Sequence, residues 1–147
     1  MDILCYTGHP KKHNDLNVKF VSLSNLLKNS DFVSINIPLT DETQNFIDKK
    51  ELALMKESSF LINTSRGKIV NEMALVHTLK NNKLAGAGID VFEEEPTSNQ
   101  ELFKLNNVIL TPHVAGVSKE ALHRIEEHII NDIVAFLSHK KTKYRLG

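Results

Sequence analysis

Three ionisable residues of this sequence stand where their types and surroundings could do chemistry. Arg66 lies in "FLINTSRGKIVN" (60–71), just past an apolar run. Glu95 follows "GIDVF" and directly precedes Pro96, and His113 follows "VILTP". A guanidinium keeps its charge and can grip a carboxylate with two parallel hydrogen bonds. An imidazole can hand over a proton near neutral pH. A carboxylate beside an imidazole favours its charged form and holds one tautomer. Together the three describe a site that binds a small 2-oxo acid and protonates its carbonyl oxygen.

Short apolar runs alternating with helical patterns would have to position them. "ILCY" (3–6) and "VKFV" (18–21) read as strands. "SLSNLLKNS" (22–30) reads as a short helix capped by Ser24, and "FVSINIPL" (32–39) as a β-branched strand ended by Pro38. "DKKELALMK" (48–56) opens with Asp48 and Glu51 at capping-box spacing and continues as a helix. "SFLINT" (59–64) is an apolar strand of the kind buried on both faces of a parallel sheet. "NEMALVHTLKNN" (71–82) is a helix capped by Asn71, and "LAGAGIDVF" (84–92) and "NVILTP" (107–112) are the last strands. From Ser118 an amphipathic helix places Leu122, Ile125, Ile129, Ile133, Phe136 and Leu137 on one broad face, ending near Leu137 or His139.

This alternation predicts an α/β fold with a doubly wound parallel sheet. Ligands of such sheets sit at the carboxyl ends of the strands. Thr7, Pro38 and the segments 64–67, 90–96 and 111–116 then surround one crevice, and Arg66 stands on its rim.

The totals narrow the class. The 147 residues carry 18 basic and 18 acidic side chains, so a nucleic-acid footprint is absent. No apolar run approaches the roughly 20 residues of a membrane span, and the first residues do not read as a signal peptide. The single cysteine, Cys5, reads as a small core residue and fits a reducing, cytoplasmic compartment. His123 and His128 are five apart rather than the three or four that align helix ligands, so no metal site is expected, and His13, His77 and His139 read as ordinary surface or helix residues.

"MKESSFLINTSRGKIVN" (55–71), "LAGAGIDVFEEEP" (84–96) and "NVILTPHVAG" (107–116) resemble three ordered motifs of the D-isomer-specific 2-hydroxyacid dehydrogenases, with "DFVSINIPLTDETQNFID" (31–48) fitting before them. The resemblance extends over essentially the whole chain. It implies that Arg66 clamps the substrate carboxylate, that His113 is the acid/base, and that Glu95 is its partner. Glu95 is favoured over Glu93 and Glu94 because the family's glutamate directly precedes the proline. Asp90 takes the nicotinamide-carboxamide contact, and Thr64, Ser65, Arg66 and the segment 113–116, including His113 and Gly116, take backbone contacts to the cofactor. Thr7, His9 and Pro38 complete the expected cofactor set. The resemblance further implies a small 2-oxo or 2-hydroxy acid as substrate and a homodimer in the full-length form.

An acidic residue commonly ends the second strand of this fold and binds the ribose 2′-hydroxyl of NAD. Here "YTGHPKKH" puts Thr7, Gly8, His9, Lys11 and Lys12 there, so the expected cofactor is NAD(P), with NADP favoured. The sequence contains no G-x-G-x-x-G turn, the motif that seats the pyrophosphate. The reading is therefore a partial Rossmann-type domain over 1–117, missing its first strand and glycine-rich turn, followed by a C-terminal helix over 118–147 that in the family packs back toward the substrate domain. Without that strand, the two halves of the sheet should lose their common neighbour. Alternative functions are a dinucleotide-sensing corepressor or an inactive truncated interaction module.

Overall fold

The computed structural model describes residues 1–8 and 18–143. The chain divides into two compact units, Met1–His113 and Val114–Gly147.

In the first unit every strand pairing is parallel. β1 (Ile3–Cys5) pairs with β2 (Val18–Phe20). β3 (Phe32–Ile35), β4 (Phe60–Asn63), β5 (Gly86–Ile89) and β6 (Val108–Leu110) form a separate sheet in the order β3-β4-β5-β6. The two sheets share no ladder among the described residues, as expected for a doubly wound order without the strand between them. Among the described residues, β1 and β3 each have one edge without a strand partner.

Between the strands lie α1 (Leu23–Asn29), α2 (Lys49–Leu52), a single 3-10 turn (Gly67–Ile69), α3 (Glu72–Lys80) and α4 (Gln100–Phe103). Asn71 caps α3 as expected, its side chain accepting from the Ala74 N–H at 3.0 Å. The cap of α1 is Ser22 rather than Ser24, since its hydroxyl accepts from the Asn25 N–H at 3.3 Å. Starting the helix at Leu23 puts Leu27 wholly inside the core, with Leu23 and Leu26 packed against it. α2 is one turn rather than the nine residues expected, and α4 was not anticipated. The strand expected over 32–39 pairs only to Ile35, well before Pro38.

The register explains which face is covered. One row carries Val33, Leu61 and Ala87, another Ile35, Asn63 and Ile89, and all six are buried. Leu27, Leu52, Leu75 and Leu79 of α1, α2 and α3 join this cluster. The opposite face carries Phe32, Phe60 and Ile109, which are 69%, 38% and 73% exposed. Phe32 stacks on Phe60 with ring centres 5.3 Å apart. The expectation that 59–64 is buried on both faces is thus corrected, because within this unit the core lies on one side of the sheet only.

The second unit is built around α5 (Lys119–Leu137). Ser118 caps it through the Ala121 N–H at 3.0 Å. The expected apolar face is present, and Leu122, Ile125, Ile129, Ile133, Phe136 and Leu137 are all exposed. No described helix is long and apolar enough to cross a membrane.

Candidate active site

The loop after β4 is shaped from inside. Asn63, the last residue of the strand, is buried. Its Oδ1 accepts from the Ser65 N–H at 3.1 Å, and its Nδ2 donates to the Arg66 carbonyl at 3.0 Å. The Ser65 hydroxyl donates to the Ile37 carbonyl, which ties this loop to the segment after β3. Arg66 is exposed and extended, with φ −146° and ψ 141°, and its Nη1 donates to the Ser65 carbonyl at 2.7 Å.

Gly67 decides what Arg66 stands next to. A Cβ there would fall 1.9 Å from the carbonyl carbon and oxygen of Phe92 and 2.6 Å from the Glu93 nitrogen. Only a residue without a Cβ lets the backbone of the β4 loop approach that of the β5 loop so closely. The approach sets the loop that carries Arg66 against the Phe92–Glu93 backbone, three residues before Glu95.

The loops after β5 and β6 meet over Asp90. Asp90 is buried, its N–H donates to the Asn63 carbonyl at 3.0 Å, and the Thr111 hydroxyl donates to its Oδ1 at 2.5 Å. The His113 N–H donates to the Asp90 carbonyl at 2.9 Å. That bond goes with φ 56° at His113, a left-handed conformation that histidine enters more readily than most side chains. His113 Nδ1 then lies 2.7 Å from Glu95 Oε2, while Glu95 Oε1 accepts from the Phe92 N–H at 3.1 Å.

The hydrogen bond with His113, and after it that from Phe92, holds the Glu95 carboxyl below its ordinary pKa, with smaller help from the charges of His113 and Arg66. Glu95 is therefore a carboxylate at neutral pH and an acceptor only. Nδ1 must carry the proton of that bond, which leaves Nε2 as the nitrogen that gains or loses one. The two side chains are 47% and 38% exposed, so the pair is open to a ligand. Glu93 is engaged elsewhere: its Oε1 accepts from the Glu72 N–H at 3.0 Å, and Glu72 Oε2 accepts from the Glu93 N–H at 3.4 Å.

Arg66, Asp90, Glu95 and His113 thus come from three adjoining strand ends. Of the other expected cofactor residues, Thr64 is exposed and Ser65 half-buried in the β4 loop. Pro38 is exposed, and its carbonyl accepts from the Thr43 hydroxyl at 2.7 Å. Thr7 is half-buried just past β1. Gly116 belongs to the second unit and is exposed. His9, Lys11 and Lys12 lie outside the described residues. Asn63, Gly67 and Thr111 were not singled out in the sequence for these contacts; a polar residue ending the apolar run "FLIN" was the available signal for the first. Among the described residues no cluster could hold a metal ion.

Residues 1–115 match the family described as the D-isomer specific 2-hydroxyacid dehydrogenase, NAD binding domain. The chain is 46% identical over 138 residues to a glyoxylate reductase of Thermococcus litoralis, covering 92% of this chain and 42% of that protein. The D-lactate dehydrogenase of Lactobacillus jensenii, solved with NAD+, superposes with a TM-score of 0.93 at 26% identity, covering 99% of this chain and 48% of that one. An acyclic imino acid reductase solved with NADPH and D-arginine superposes with a TM-score of 0.86 at 34% identity, covering 99% and 46%. The chain spans less than half the length of these relatives. On this likeness the chain belongs to the D-isomer-specific 2-hydroxyacid dehydrogenases.

Proposed function

We propose that this chain carries the reaction centre of an NAD(P)-dependent oxidoreductase that interconverts small 2-oxo acids, such as glyoxylate or hydroxypyruvate, and D-2-hydroxy acids. The observation that carries the reading is the 2.7 Å pair of His113 and Glu95, open to solvent and within reach of the Arg66 charge. Arg66 grips the substrate carboxylate and, next to the carbonyl, favours charge developing on its oxygen. When bound, the reduced nicotinamide supplies hydride to C2. Protonated His113 gives its Nε2 proton to the carbonyl oxygen. Glu95 holds the Nδ1–H and stabilises the imidazolium before the transfer. In the oxidation direction, neutral Nε2 takes the proton back.

The residues present fit a dinucleotide at its nicotinamide end. Asp90, Thr64, Ser65, Arg66, His113 and Pro38 would hold that end. Thr7 and His9 would meet the adenosine ribose, and the absence of a carboxylate at Thr7 favours NADP. The pyrophosphate has no G-x-G-x-x-G turn in this sequence, so no residue here is assigned to it. Residues 1–117 form the cofactor-binding part, and the exposed apolar face of α5 packs toward a substrate-binding portion. The whole protein works as a cytoplasmic homodimer.

The test joins this chain to the N-terminal portion of the glyoxylate reductase relative and follows NADPH oxidation with glyoxylate. His113→Gln should lower kcat by about 10² or more, since general acid–base help is worth that much. A kcat within a few-fold of the parent from pH 6 to 8 would remove His113 from the reaction.

A further inference from the structure

Asn63 occupies a place where the sheet calls for an apolar side chain. In its register row the neighbours on either side are Ile35 and Ile89, both buried, and Asn63 itself is only 1% exposed. A buried carboxamide persists in such a row only with its polar atoms satisfied. Asn63 satisfies them within three residues of itself, on Ser65 and Arg66.

The bonds bracket the Ser65–Arg66 peptide from both sides. Asn63 Oδ1 holds the Ser65 N–H, Asn63 Nδ2 holds the Arg66 carbonyl, and the Arg66 guanidinium folds back onto the Ser65 carbonyl between them. The main-chain carbonyl of Asn63 accepts from Asp90, so the same residue also joins the loop to β5. A change of the Arg66 φ and ψ that carries its carbonyl off Asn63 Nδ2 would swing the guanidinium away.

We propose that Asn63 is the positioning residue of this site: its carboxamide sets the direction in which Arg66 is presented beside Glu95 and His113. The proposal deepens the functional reading above and rests on it for the purpose of that direction, the capture of a carboxylate.

The test uses the 147-residue chain and nuclear magnetic resonance, with oxalate as the carboxylate probe. Asn63→Leu removes both bonds without burying a charge and suits the apolar row. It should speed exchange of the Ser65 amide at least about tenfold, shift the Arg66 amide–α-proton coupling away from its extended value, and weaken oxalate binding about tenfold, the loss of roughly one charge-assisted contact. Asn63→Asp keeps the acceptor for Ser65 and loses the donor to Arg66, so Ser65 protection should survive while the Arg66 coupling changes. Leu61→Val, a core change on the same strand, should lower the melting temperature and move none of these signals.

An unchanged Arg66 coupling in Asn63→Leu would overturn the proposal. If that variant does not fold, the parent decides: the Asn63 carboxamide protons should exchange at least about tenfold more slowly than those of exposed Gln44, and equal rates would overturn it. Failure of the parent to bind oxalate would instead sink the reading of Arg66 as a carboxylate grip. The coupling would still decide whether Asn63 sets its direction.

Discussion

Gly67 and Gly8 both follow strands at the carboxyl edge of a parallel sheet, yet their surroundings are opposite. A side-chain carbon at Gly67 would fall 1.9 Å from the Phe92 backbone, whereas at Gly8 it would meet nothing within 4 Å among the described residues. The first lies in the sheet whose strand ends carry Arg66, Glu95 and His113, and a buried core backs that sheet. The second follows β1 of a two-stranded ladder whose residues are half-buried or exposed. Crowded backbones and buried hydrogen bonds constrain the end proposed for the reaction. The end proposed for the adenosine rests on a two-stranded ladder, and such pieces are marginal by themselves.

The largest effect is expected where the backbones touch. Gly67→Ala should lower stability by about 3 kcal/mol, the upper range for overpacking, because what must give is main chain rather than a flexible side chain. Urea unfolding of the 147-residue chain measures it. A loss below about 1 kcal/mol would mean that the two loops separate easily and that the contrast with Gly8 is false.

A smaller effect is expected at the adenosine end. Thr7→Asp, in the chain joined to the relative's N-terminal portion, should shift the ratio of kcat/KM for NADPH over NADH toward NADH by about tenfold. A parent that already prefers NADH strongly would remove the basis for NADP.

The smallest is expected at Gly8. Gly8→Ala should change stability by no more than about 0.5 kcal/mol, as at exposed positions without special features. A loss matching that of Gly67→Ala would show that the β1 loop is as constrained as the β4 loop.

Features that depend on a few neighbouring residues were legible in the sequence. Asn71 caps its helix as expected, and the last helix starts at Ser118 as expected, because capping is a bond across three residues, as seen at Ala74 and Ala121. The parallel order of strands followed from alternation, and the separation of β1–β2 from β3–β6 followed from the lack of a glycine-turn strand between them. Ser22 rather than Ser24 caps α1 because burial of Leu27 selected the start of the helix, a choice local spacing does not contain.

Residue types at strand ends, with the family's glutamate-before-proline pattern choosing among three glutamates, named Arg66, Glu95 and His113; their proximity is a tertiary fact. It depends on Gly67 admitting the Phe92 backbone, on Asn63 turning its carboxamide into its own loop, and on His113 taking a left-handed turn against Asp90. It also separates Glu95, beside His113, from Glu93, which bonds to the start of α3. Apolar pattern reports which side chains avoid water, but not which face finds a cover, and so Phe60 reads as core in the sequence yet lies on the open side of its sheet. Close approach and cover are set by residues distant along the chain, and only the packed structure brings those residues together.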